Sequence, residues 1–248
     1  MRAHIALAQG KALLVNFIRR NSDLSSSELF SGCWRIILDN PTLFEPDAFI
    51  QNQGNLFSYP WKNLMFARLC LTIKQMRKDF QVKVISDWHG QSIRDVFNPA
   101  ASILFCGHTR LEQSIGQVLQ SVKVPFAFLS AMGRFENQWA YFGVHPVPDL
   151  ITAGPQCYFE IRSALARAQA VIILPETTTR GEPQERVRQI DPRPIRFAQR
   201  VSTAAFMFAP ELRDDATLLL HIQKLDLAKS MDDVSSELSA FLIAHQNN

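Results

Sequence analysis

A run of three apolar residues, Ile103, Leu104 and Phe105, leads through Gly107 into an amphipathic pattern carried by Leu111, Ile115, Val118 and Leu119. Such a run reads as a buried strand, Gly107 as a sharp turn, and the recurrence at three and four residues as a helix. His108 falls where strand gives way to helix, followed by Thr109, Arg110, Glu112 and Gln113. An imidazole at that position lies near the N–H groups of a helix start and within reach of an acidic neighbour, which suits a proton acceptor.

The same texture repeats on either side. Strands are predicted at Val82 and Val84 and over residues 124–129, 170–174, 205–209 and 216–223, with helices over 91–97, 158–169 and 194–203. Ser230 and Asp233 begin a last helix with Val234, Leu238, Phe241 and Leu242 on one face. Strands alternating with helices predict an α/β fold, a mostly parallel central sheet flanked by helices on both faces. Ligands on such sheets sit beyond the carboxyl ends of the strands, where His108 falls.

Before residue 81 the pattern is helical. Ser25 with Glu28 three residues on forms a capping box, predicting a helix over 26–39 that Pro41 and Pro46 terminate. A second helix is predicted over 61–80, with Lys62, Arg68, Lys74, Arg77 and Lys78 on a basic face, and residues 52–60 read as a loop. Residues 1–80 are expected to pack on an 81–248 core as one domain. At 248 residues the chain can bury a proper core, and 47% hydrophobic with 20% charged residues describes an ordinary globular protein. A net charge of +3 is too small to indicate nucleic acid. Gln9, Gly10 and Lys11 interrupt the apolar N-terminus, and no run approaches the roughly 20 apolar residues a membrane span requires. A cytoplasmic protein is expected, with peripheral contact to the inner face of a membrane compatible with Arg19 and Arg20.

Cys33, Cys70, Cys106 and Cys157 form no C-x-x-C pair and are expected as reduced thiols. Cys106, two residues before His108, leaves a cysteine nucleophile as a minor alternative to a core thiol. His4, His89, His145, His221 and His245 show no ligand spacing, so no metal site is expected. Neither a P-loop nor a G-x-S-x-G elbow is present.

A second strand, ending at Leu174, runs into Pro175, Glu176, three threonines, Arg180 and Gly181. With this stretch the chain resembles the lysophospholipid acyltransferase superfamily, and most of all its lipid A lauroyl and myristoyl acyltransferase branch. VKVISDWHGQSIRDVFNPAASILFCGH (82–108) resembles the strand and short helix leading to the family's catalytic histidine. ALARAQAVIILPETTTRG (164–181) resembles a helix and strand ending in Pro and an acid, similar to the Pro-Glu-Gly-Thr-Arg motif of glycerol phosphate acyltransferases with one extra threonine. PIRFAQRVSTAAFMFAPEL (194–212) resembles a later helix and strand. The likeness spans about two thirds of the chain, in the family's order.

The resemblance implies acyl transfer from a thioester of coenzyme A or acyl carrier protein, the donor substrate, to a hydroxyl or amine of a lipid or small-molecule acceptor, with no permanently bound cofactor. His108 would be the general base, with Glu112 orienting it. Arg110 and Arg134 would stabilise the oxyanion or bind acceptor phosphate, and Glu176 and Arg180 would bind acceptor. The family places four residues between histidine and acid, whereas three separate His108 from Glu112 and Gln113 takes the family's acidic position. Four residues along a helix is only about 40° of rotation, so Glu112 reaches His108 if that histidine lies in the first turn. A binding or scaffold protein and a thioester hydrolase are the alternatives to a transferase.

Overall fold

The computed structural model describes residues 2–44, 61–88, 101–109, 111–130, 139–140, 142–178, 188–213, 215 and 217–246. Among the described residues three α-helices come first: α1 (Arg2–Arg20), α2 (Ser26–Asp39) and α3 (Trp61–Met76). The capping box forms, with the Glu28 N–H donating to Ser25 Oγ at 3.3 Å and the Ser25 N–H to Glu28 Oε2 at 3.0 Å. Two helix-end donors are thereby satisfied at once, and the Ser25 hydroxyl donating to Glu28 Oε2 at 2.6 Å, followed by the Ser25 N–H, holds the Glu28 carboxyl below its usual range. Ser25→Ala is expected to lower the melting temperature by roughly 2–4 °C in a calorimetric scan.

Helix α2 buries Leu29, Phe30, Cys33, Trp34 and Ile37, one stripe at helical spacing. Against it α3 places Phe66, whose ring meets Phe30 edge-on at 5.0 Å and Trp34 at 6.0 Å. Helix α3 stops at Met76 rather than at residue 80. There Lys74 Nζ donates to the carbonyls of Lys78 (2.5 Å) and Phe80 (2.9 Å), and the Phe80 N–H turns back to Arg77 O. Arg77 reaches the Leu24 carbonyl at 2.8 Å. Two cations of the predicted basic face thus close a turn.

The α-helices and strands that follow among the described residues are β1 (Val84–Asp87), β2 (Ser102–Cys106), α4 (Ile115–Ser121), β3 (Phe126–Ser130), β4 (Asp149–Thr152), α5 (Cys157–Ala166), β5 (Ala170–Ile173), β6 (Glu176–Thr178), β7 (Arg188–Ile190), α6 (Pro192–Val201), β8 (Ala204–Leu212), β9 (Leu218–Leu225) and α7 (Met231–Gln246). Seven strands form one sheet in the order β1-β9-β8-β2-β5-β3-β4, and β6 pairs with β7 apart from it. Every pairing in the large sheet is parallel except β8 with β9, so β1 and β9 run against the other five strands. The expected α/β class, with a mostly parallel sheet flanked by helices, is the observed one. The predicted helix over 91–97 and the loop over 52–60 lie outside the described residues.

Alternation along the central strands divides the core in two. Leu104, Cys106, Ile172, Phe206 and Phe208 join one apolar cluster with the buried residues of α1, α2 and α3. Ile103, Phe105, Val171, Ile173 and Met207 join the other, with Ile161 of α5, Ile195 of α6 and Val234 and Leu238 of α7. The helical N-terminus therefore covers one face of the sheet. Among the described residues no helix is long and apolar enough to cross a membrane.

Candidate functional site

All five residues of β2 are buried, and the chain leaves the sheet at Gly107. The helix predicted to follow directly is delayed. Thr109 donates its N–H and its Oγ1 hydroxyl to Glu112 Oε2, both at 3.3 Å, and the Leu111 N–H donates to Thr109 Oγ1 at 3.2 Å. A 3₁₀ turn over Glu112–Ser114 precedes α4. Thr109 with Glu112 thus has the [ST]-x-x-E pattern of a helix start, and His108 lies outside the helix. From α3 the buried Asn63 donates to the Thr109 carbonyl at 3.2 Å, tying the N-terminal helices to this turn.

Glu112 is buried, and Gln113 Nε2 donates to its Oε1 at 3.3 Å. Its carboxylate is therefore engaged by Thr109 and Gln113. The acid at the imidazole comes from the other loop. Strands β2 and β5 are adjacent and parallel, with Phe105 opposite Ile173, so His108 and Glu176 stand equally far beyond the sheet. Glu176 Oε2 accepts the His108 backbone N–H at 2.7 Å and lies 3.4 Å from His108 Nδ1. The shorter contact is a firm hydrogen bond. The longer one lies beyond good hydrogen-bond distance and sets the carboxylate beside the ring. The Glu176 side chain is 4% exposed and that of His108 23%, an acid walled in beside a partly exposed base.

The strand β6 that begins at Glu176 is pinned by β7, with Glu176 opposite Ile190, and by the Asp191 N–H donating to Pro175 O at 2.7 Å. Glu176 is thus held on both sides. Sequence reasoning placed Glu176 in acceptor binding and Glu112 at the histidine, but the fold puts Glu176 beside the ring and Glu112 in the cap below it. Arg110, Arg134 and Arg180 lie outside the described residues. Asn63 and Thr109 were missed. Only the Thr109-x-x-Glu112 spacing could have signalled either.

Cys106 is fully buried, its thiol donating to Gly107 O at 3.2 Å. Burial first, then the carboxylates of Glu112 and Glu176, pushes that thiol well above its ordinary range. A thiolate nucleophile is disfavoured by every one of these causes. Iodoacetamide at neutral pH is expected to leave Cys106 and Cys70 unmodified in the native protein and to label both after unfolding, read by peptide mass spectrometry. Stoichiometric native labelling of Cys106 would reinstate it as a nucleophile.

Among the described residues, cavities lie away from His108. One of about 440 Å³ is lined by Asp149, Glu160 and Arg167, and another of about 680 Å³ by Lys123, His145 and Gln169. Both open near the amino ends of β3 and β5, the end of the sheet opposite His108. No protein-family model matches the chain, and no curated protein matches it.

Proposed function

We propose that the protein is an acyltransferase moving an acyl group from a thioester of coenzyme A or acyl carrier protein to a hydroxyl or amine of a lipid or small-molecule acceptor, with His108 as general base. The observation that carries this reading is the buried Glu176 carboxylate against a partly open His108, both at the carboxyl ends of adjacent central strands. That is where parallel sheets hold their ligands. Support also comes from the likeness of the His108 and Pro175-Glu176 stretches to the acyltransferase motifs.

In this reading Glu176 faces Nδ1 and Nε2 takes the proton of the acceptor. The acceptor oxygen or nitrogen bonds to the acyl carbon, the C–S bond breaks, and the imidazolium returns its proton to the departing thiolate. Glu176 favours the imidazolium that forms in between. Arg110 or Arg134 stabilises the oxyanion of the tetrahedral intermediate, and Arg180 binds acceptor. In this reading the protein works in the cytoplasm, where these donors are made, and touches the inner membrane face when the acceptor is a lipid.

Incubation with acyl-CoA or acyl carrier protein, following thiol release with and without alcohol and amine acceptors, tests this directly. Release that requires an acceptor is the expected result. Release with water alone would make the protein a hydrolase, and donor binding without release would make it a binding protein.

A further inference from the structure

On the sheet face opposite Cys106, three side chains of metal-ligating type meet. Across the antiparallel β8–β9 pair, Ala209 stands opposite His221, so Glu211, two residues along β8, projects from the same face beside it. His221 Nε2 and Glu211 Oε2 are 2.5 Å apart, the two side chains 13% and 23% exposed. From the last turn of α7, His245 lays its ring on that of His221, with centroids 4.1 Å apart and planes 20° off parallel. Phe241, one turn earlier, backs His245 at 4.7 Å.

We propose that Glu211, His221 and His245 form a binding site for a divalent cation of the zinc class. One ligand atom from each, an imidazole nitrogen from either histidine and a carboxylate oxygen, lies within 4.8 Å of the other two. A tetrahedral ion with bonds near 2.0–2.1 Å needs its ligands about 3.3 Å apart. Contraction to that spacing requires the His245 ring to tilt out of its stack, which a residue in a helix's final turn allows. Two imidazoles and one carboxylate match zinc and similar borderline ions, whereas calcium and magnesium take oxygen ligands throughout. Water supplies the fourth position, and Asp87, in register with His221 on β1, adds negative charge beside the site. The ion replaces the proton that bridges Nε2 and Oε2, and ties the end of α7 to the β8–β9 hairpin.

Chelator-stripped full-length protein is titrated with zinc chloride, bound metal being measured by equilibrium dialysis and elemental analysis, alongside His245→Gln and His221→Gln. The expected result is one ion per chain and a melting temperature raised by roughly 5 °C at a hundredfold excess over Kd. Each variant is expected to bind at least about tenfold more weakly. His245→Gln alters only a partly exposed position, and circular dichroism of both variants establishes that the comparison is between folded proteins. Cobalt(II) in place of zinc is expected to give the strong visible absorption of a tetrahedral site. No binding to the wild type overturns the site. Equal binding by both variants would locate the zinc elsewhere, and loss in His221→Gln alone would remove His245 from the ligand set.

Discussion

His108→Ala is expected to reduce acceptor-dependent thiol release by roughly 10²–10⁴-fold while moving the melting temperature by no more than a few degrees. The loss follows from removing the only group assigned to take the acceptor's proton. Retention of the fold follows from geometry. The imidazole belongs to neither core cluster, and the 2.7 Å bond that fixes the turn is made by the backbone N–H, which alanine keeps. Steady-state release and a thermal melt on the same preparation read the two effects separately.

The second large effect discriminates between the carboxylates. Glu176→Gln is expected to lower kcat by roughly 10²-fold or more with little change in KM. Its amide oxygen still accepts the His108 N–H, but no negative charge remains to stabilise the imidazolium formed as the proton is taken. Glu112→Gln is expected to leave kcat within a few-fold of wild type, because Glu112 is bonded to Thr109 and Gln113 rather than to the ring. Kinetics of the two variants side by side decide the matter, since the opposite ranking would return the orienting role to Glu112.

Why the two acids are easily exchanged in a sequence reading is instructive. Glu112 is near His108 along the chain, and helical spacing joins them only if the helix begins at the histidine. Thr109 defers that start, a competition between a side-chain cap and helix propagation that is local but subtle. Glu176 is legible as an acid at a strand end, but its partner is not. The contact depends on β2 lying beside β5 with Phe105 opposite Ile173, a register no single stretch encodes. Nor can spacing along the chain anticipate Glu211, His221 and His245, which one antiparallel pairing and the final turn of α7 bring together.

Elements with strong local signals were legible. The Ser25-Glu28 box and Pro41 frame α2 at its observed bounds, Ser26–Asp39. The β2 and β5 strands stand out as uninterrupted apolar runs because both faces of the sheet are covered. Strand β4 does not, because it lies at the sheet edge with Asp149 and Thr152 exposed and one residue, Ile151, buried. The β6–β7 pair, Glu-Thr-Thr against Arg-Gln-Ile, lacks an apolar face to mark it.

The central claim is transfer rather than hydrolysis or binding, and mass analysis of the acceptor tests it most directly. With an acyl-thioester donor and a hydroxyl or amine acceptor, the wild-type protein is expected to yield an acceptor heavier by one acyl group for each thiol freed, and His108→Ala none. Thiol freed without acylated acceptor, or equal product from the two proteins, would contradict the account.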